Sequence, residues 1–123
     1  MTIGRTQWAI PEGFLPSESL AGADRPLVSH EAACILNAGD TDARIAITLY
    51  FIDREPVGPY LVEVPARRTL HLRFNELSDP EPVPRDTDYA SLIVSDVPIV
   101  VQHTRLDSRP ANFALMSTMA FGD

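Results

Sequence analysis

Hydrophobic and polar residues alternate with a period of two along several short stretches of the 123-residue chain. The clearest stretch is 43–53, where Ile45, Ile47, Leu49 and Phe51 alternate with Arg, Ala, Thr and Tyr. Successive side chains of a strand point to opposite faces, so this pattern predicts a strand with one buried face. Comparable patterns predict strands at 6–10, 27–37, 60–64, 66–74, 88–95 and 99–107. Residues 113–121 are apolar enough for a last strand or for a segment packed on a partner.

Proline, glycine and asparagine separate these stretches. Pro11 is expected to end the first strand, and residues 11–26 read as a loop with a helical turn at 17–21. Residues 37–40, 55–59 and 96–98 predict turns, and the proline-rich segment 75–87 predicts an acidic loop. No stretch has helical periodicity. Roughly seven short strands therefore predict an all-β fold, a small antiparallel β-sandwich or barrel that forms a single domain over residues 1–123.

The segment 97–109 begins as a β-branched apolar strand and then acquires polar residues without a turn. On a strand, Val101, His103, Arg105 and Asp107 share one face. An apolar strand that gains a row of ionisable groups leaves the core for a site, an interface or solvent. This row is therefore the first place to look for function.

Glu31 lies in the middle of the predicted second strand, close to Ala33 and Ile35. An unpaired carboxylate costs several kcal/mol to bury, so Glu31 is expected to pair with His103 or Arg105. In one interpretation these residues form the floor of a pocket for a polyhydroxylated or anionic ligand. In the other they form a structural ion pair that holds two sheets or two subunits in register.

Composition narrows the function classes. The net charge of −7 opposes binding to nucleic acid or anionic lipid. All ten basic residues are arginine, which excludes a lysine Schiff base and a lysine phosphate clamp. Cys34 is the only cysteine, so an intramolecular disulfide is impossible. With no signal-peptide pattern and no apolar run of membrane-spanning length, the chain is expected to be soluble and cytoplasmic.

Other candidate chemistry is weaker. The three histidines could join Glu31 or Asp107 in a metal site, but none has ligand spacing, so no metal or other cofactor is predicted. A metal-dependent enzyme stays as an alternative from another class. Trp8 could stack on a sugar or pack in the core.

A basic strand could bind nucleic acid or could be an exposed face paired with the acidic loop 79–88; its residues are Arg67, Arg68, His71 and Arg73. The net charge favours the exposed face. No serine elbow, phosphate loop or spaced carboxylate pair points to catalysis, so the chain is not predicted to be an enzyme.

Several segments resemble the sensory rhodopsin transducer family from about residue 3 to residue 121. The longest are CILNAGD at 34–40 and VVQHTRLDSR at 100–109. The other segments are 3–6, 8–10, 29–31, 55–60, 64–69 and 73–75.

The resemblance implies a small soluble all-β protein that forms a homotetramer. It also implies a non-enzymatic role in signal transduction, with binding to the cytoplasmic side of a membrane-embedded microbial rhodopsin. The wider superfamily implies binding of a small molecule, such as a sugar or related metabolite, also in members without a rhodopsin partner. The shared polar positions that would bind a ligand correspond to Trp8, His30, Glu31, His103, Arg105 and Asp107.

Overall fold

Strands dominate the structure, as the alternating pattern predicts. The computed structural model describes residues 2–110 and 112–123. Its strands are β1 (Arg5–Phe14), β2 (His30–Asn37), β3 (Ala43–Phe51), β4 (Val57–Val64), β5 (Arg68–Arg73), β6 (Asp88–Asp107), β7 (Ala114–Met119) and β8 (Phe121–Gly122). Two short 3-10 turns are Arg25–Leu27 and Phe74–Glu76.

Strand β6 belongs to two antiparallel sheets. Its first half pairs with β1 and β3, and its second half pairs with β2 and β7. The first sheet has the strand order β4-β3-β6-β1-β8, and the second has the order β5-β2-β6-β7. The arrangement is sandwich-like, so the predicted all-β antiparallel fold is confirmed.

The hydrophobic core lies between the inward faces of the two sheets. Ile45, Ile47 and Leu49 of β3 are at most 2% exposed, which matches their alternation in the sequence. Ala33 and Ile35 of β2 are fully buried and belong to the same core cluster. Burial of apolar surface at about 25 cal/mol per Å² is the main force that holds the two layers together.

The predicted turn at 96–98 is wrong, because β6 continues through it as one strand of 20 residues. The pairing register between β1 and β6 shifts at this point. Asp96 does not close a turn; its Oδ1 accepts a hydrogen bond from the Arg44 backbone N–H at 2.8 Å. Register irregularities bend a strand, which explains how β6 passes from the first sheet to the second.

Strand β1 extends to Phe14, so the prediction that Pro11 ends the first strand is also wrong. Pro11 and Glu12 lie at a second register shift, where pairing with β6 stops at Ile10 and resumes at Gly13. Proline lacks an N–H group, so it is tolerated where the ladder is interrupted. The irregularity leaves Glu12 exposed on the surface.

The predicted helical turn at 17–21 is replaced by two other features. The chain turns where Ala23 N–H donates to the Leu20 carbonyl at 3.0 Å, and the 3-10 turn follows. Strand β2 therefore begins three residues later than predicted.

The predicted last strand divides into two. Strand β7 pairs with β6 in the second sheet, and all six of its residues are exposed. Strand β8 pairs with β1 in the first sheet. The C-terminal segment thus contributes an edge strand to each sheet and raises the number of strands to eight.

Candidate functional site

Glu31 lies on the inward face of β2 and is fully buried. The register pairs Glu31 with Arg105 and Ala33 with His103. Directly opposed residues project from the same face of a sheet, so Glu31, His103 and Arg105 converge. The structure therefore brings three of the six predicted site residues into one cluster.

Both oxygens of the Glu31 carboxylate accept hydrogen bonds. Arg105 Nε donates to Oε2 at 2.6 Å, and the Phe14 backbone N–H donates to the same oxygen at 2.8 Å. His103 Nε2 donates to Oε1. A carboxylate with these partners is compensated despite its burial, and its orientation is fixed.

A set of polar contacts at the start of β2 supports this cluster. Asn75 Oδ1 accepts from the Glu31 backbone N–H at 3.3 Å, and Asn75 Nδ2 donates to the Ser29 carbonyl at 2.9 Å. Ser108 N–H donates to Ser29 Oγ at 3.0 Å. These bonds tie the start of β2 to the 3-10 turn Phe74–Glu76 and to the residue that follows β6, and so fix the position of Glu31.

Arg105 joins this buried carboxylate to an exposed one. Its Nη2 contacts Glu12 as well as Glu31, and the Glu12 side chain is 60% exposed whereas that of Glu31 is 1% exposed. Burial acts to lower the pKa of Arg105, but the charge and hydrogen bonds of the two glutamates outweigh it and raise the pKa. Arg105 therefore stays charged.

A cavity of about 190 Å³ opens beside this arginine. Its lining includes Glu12, Phe14, Asp88, Arg105, Asp107 and Arg109. Carboxylate acceptors, guanidinium donors and one aromatic side chain make the cavity suited to a small polar molecule.

Asp107 and Arg109 form an ion pair on the wall of the cavity. Arg109 Nη2 donates to Asp107 Oδ2 at 2.6 Å, and Arg109 Nε donates to Oδ1 at 3.0 Å. Hydrogen bonding to Arg109 holds the pKa of Asp107 below its ordinary value. The Arg109 guanidinium also lies 5.7 Å from the centre of the Phe14 ring.

Trp8 and His30 lie away from the cluster. Trp8 is 7% exposed in the core, and its Nε1 donates to the carbonyls of Arg5 and Ile99 at 3.0 Å each. His30 precedes Glu31 and so faces the opposite side of β2; its Nδ1 donates to the Val28 carbonyl at 2.7 Å. Burial lowers the pKa of His30.

Sequence reasoning missed Glu12 and Phe14 as neighbours of Arg105. Both belong to a stretch interpreted as a loop, where no alternation indicated which way a side chain points. It also missed Tyr89, which is 5% exposed and whose ring lies 5.6 Å from that of Phe74. Burial raises the pKa of the Tyr89 hydroxyl.

The basic strand does not pair with the acidic loop 79–88, so that expectation is wrong. Arg67 Nη1 lies 3.5 Å from Asp40 Oδ1, in the turn between β2 and β3. Arg73 Nη1 donates to the Arg25 carbonyl at 2.9 Å.

Within residues 2–110 and 112–123, no group of three or more His, Cys, Asp or Glu side chains is arranged to hold a metal ion. In the same described residues, no helix is long and apolar enough to cross a membrane.

The fold and the site define a small all-β domain in which two sheets share one long strand and enclose a carboxylate held by arginine and histidine. The family model described as "Anabaena sensory rhodopsin transducer" matches residues 3–122. The chain belongs to this family, and the resemblance found in the sequence is confirmed.

The solved structures similar to this chain include the following two. The Anabaena sensory rhodopsin transducer is 60% identical with a TM-score of 0.76, and the match covers 85% of this chain and 100% of that one. Thermotoga maritima 1070 is 36% identical with a TM-score of 0.85, and the match covers 98% of this chain and 96% of that one. The comparison with curated protein sequences finds no match.

Proposed function

We propose that this chain is a non-enzymatic, cytoplasmic signal transducer that forms a homotetramer and binds the cytoplasmic side of a microbial rhodopsin. One observation carries the proposal. The chain is 60% identical to a protein called a sensory rhodopsin transducer, over the whole of that protein's solved chain.

The geometry of the Glu31 cluster favours a non-catalytic role. A general acid or base needs an oxygen within reach of a substrate proton. Both Glu31 oxygens are instead engaged by protein donors, and the side chain is 1% exposed. Glu31 and His103 are therefore proposed as positioning residues for Arg105.

The outer face of the first sheet is proposed as a surface for self-association. It is formed by the outward residues of five strands, which include Leu61, Ala46, Val94, Leu92, Ala9 and Phe121. Leu61 is 77% exposed, Val94 40% and Phe121 66%. A broad apolar sheet face exposed to water favours contact with another protein surface, and a homotetramer would cover it with further copies of this chain.

Binding to a rhodopsin provides the direct test. The Anabaena sensory rhodopsin in lipid nanodiscs is titrated with this protein in a calorimeter, in the dark and under illumination. We expect saturable binding whose affinity differs between the two conditions. Empty nanodiscs of the same lipid are the control. Equal heats with empty nanodiscs and with nanodiscs that contain the rhodopsin would contradict the proposed binding.

A second candidate function, binding of a small sugar-like molecule or other metabolite, is favoured by the cavity beside Arg105. Here Arg105 and Asp107 would contact the ligand. A bound ligand would displace an internal partner of Arg105 and bias the packing of subunits, because a ligand shifts an equilibrium toward the state it binds better. Chemical shift changes of cavity residues on addition of monosaccharides test this function separately from rhodopsin binding.

A further inference from the structure

Arg105 contacts two carboxylates, one of which is buried and the other exposed. Glu31 is 1% exposed and is bound by His103 and the Phe14 N–H as well as by Arg105. Glu12 is 60% exposed, and in the described part of the chain Arg105 is its one hydrogen-bond partner. Surface ion pairs contribute about 0–1 kcal/mol, whereas breaking a buried pair costs several. Of the two glutamates, Glu12 is by far the easier to displace.

Glu12 lies at an irregularity of β1 and borders two cavities. Its backbone lies at the register shift of β1, where pairing with β6 is interrupted. Glu12 lines the cavity of about 190 Å³ beside Arg105 and also a second one of about 450 Å³, which is bordered by Tyr50 and Tyr89. The larger cavity therefore offers the displaced Glu12 side chain a place to lie, and because Asp88 borders both cavities, Glu12 faces that carboxylate in either of them.

We propose that Glu12 is a built-in occupant of the Arg105 site, and that the ligand is a small carboxylate that replaces Glu12 on the Arg105 guanidinium. This inference rests on the second candidate function, binding of a small molecule in the cavity. The exchange conserves the charge balance of Arg105, because one carboxylate leaves as another arrives. Arg105 stays anchored to Glu31 throughout.

The other charged side chains of the cavity restrict the chemical class of the ligand further. Asp107 is neutralised by Arg109, but Asp88 lines the same cavity without an ion-pair partner among the described residues. A second negative group on the ligand would meet this carboxylate, whereas a hydrogen-bond donor would satisfy it. The ligand class is therefore a small carboxylic acid that also carries a hydroxyl or ammonium group.

Titration by NMR with matched probes tests the proposal. Glycerate and alanine carry a carboxylate with a hydroxyl or an ammonium group, respectively, and glycerol is the hydroxylated control without a carboxylate. Each is added to the full chain and to Glu12→Gln, which keeps the size of the side chain and removes its charge. Glu55→Gln, an exposed position outside both cavities, is the charge-matched control.

We expect glycerate or alanine to shift the amide signals of residues around Arg105, and glycerol to bind more weakly. Loss of the internal competitor should lower Kd by up to about fivefold in Glu12→Gln, which corresponds to about 1 kcal/mol, the upper end for a surface ion pair, with no change in Glu55→Gln. Equal affinities in Glu12→Gln and the unmodified chain would overturn the proposal, as would the absence of binding by both carboxylates. If glycerol or a neutral sugar binds as well as glycerate, the carboxylate class is wrong while the binding function of the cavity stands.

Discussion

Arg105 lies directly opposite Glu31 in the β2–β6 ladder, with its Nε 2.6 Å from Glu31 Oε2. The pair is asymmetric, because the Glu31 side chain is 1% exposed and that of Arg105 is 26% exposed. The carboxylate has therefore lost nearly all of its hydration, and its stability depends on the groups that replace water. Arg105 is the strongest of these groups because it alone brings a permanent positive charge.

Replacing Arg105 with methionine should destabilise the fold strongly, since it leaves a buried carboxylate without its cation. We expect a loss of about 3 kcal/mol in the free energy of unfolding, measured by urea titration, because breaking a buried ion pair typically costs about 3–5 kcal/mol. The double variant with Glu31→Gln should recover part of that loss. Arg109→Met, which removes a more exposed partner, should cost less than about 1 kcal/mol. Equal losses in the two single arginine variants would contradict the interpretation.

Asn37 should be equally sensitive, because its buried amide binds the backbone of the turn between β2 and β3 and of the end of β4. Its Nδ2 donates to the carbonyls of Thr41 at 2.9 Å and Val64 at 3.0 Å, and its Oδ1 accepts from Gly39 N–H at 3.1 Å. Asn37→Ala should cost about 2–3 kcal/mol, since it leaves these groups unsatisfied.

The matched variant Asn37→Asp separates the donor from the acceptor. Its carboxylate can still accept from Gly39 N–H but faces carbonyl oxygens where the amide donated. We expect Asn37→Asp to be less stable than Asn37→Ala at neutral pH and to regain stability when the carboxyl is protonated. If the aspartate and the asparagine proteins unfold at the same urea concentration, the donor contacts carry no stability.

The all-β antiparallel fold could be predicted from the sequence, with a sandwich and a barrel both open, but the path of β6 could not. In β3, apolar residues alternate with more polar ones because one face of the strand is buried. This alternation can be read directly from the sequence. The continuity of β6 depends on a register shift against β1. It also depends on Asp96, which accepts a hydrogen bond from the Arg44 N–H of β3, a strand that is distant in the sequence. The sequence Asp96-Val97-Pro98 has the same local pattern in a turn and in an irregular strand.

The sequence predicts which residues form the cluster only where they lie on regular strands. Glu31, His103 and Arg105 lie where alternation orders the faces, so their convergence followed once β2 and β6 paired. Glu12 sits at an irregularity, and its contact with Arg105 depends on the course of β1 through that irregularity. Periodicity carries no signal at such a position.

His30 should make stability depend on pH. Burial lowers the pKa of His30 below its ordinary value of 6.5. In the pH interval below 6.5, the unfolded chain therefore binds more protons than the folded chain. The free energy of unfolding rises with pH through this interval. The stability that comes from keeping His30 neutral is fully present above pH 6.5 and is lost as the pH falls below that value.

Urea unfolding between about pH 8 and about pH 5 measures this contribution. We expect the unmodified chain to lose more stability on acidification than His30→Gln. The control His71→Gln alters an exposed histidine and should follow the unmodified chain. Parallel curves for His30→Gln and the unmodified chain would show that burial of His30 carries no free energy.

Val94 lies at the centre of the apolar outer face of the first sheet and is 40% exposed, so a longer polar side chain can reach solvent there without disturbing the core. If copies of the chain associate through this face, Val94→Arg would bury one guanidinium per subunit without a partner, at a cost of several kcal/mol. A stable interface buries about 800 Å² on each side, so a central charge should abolish it. We expect the proposed tetramer to give way to smaller species in light scattering after gel filtration, with circular dichroism showing that the fold persists.

Ser78→Arg, in the loop between β5 and β6, adds the same charge away from this face and should leave the mass unchanged. An unchanged mass for Val94→Arg would place the contact between subunits elsewhere on the molecule.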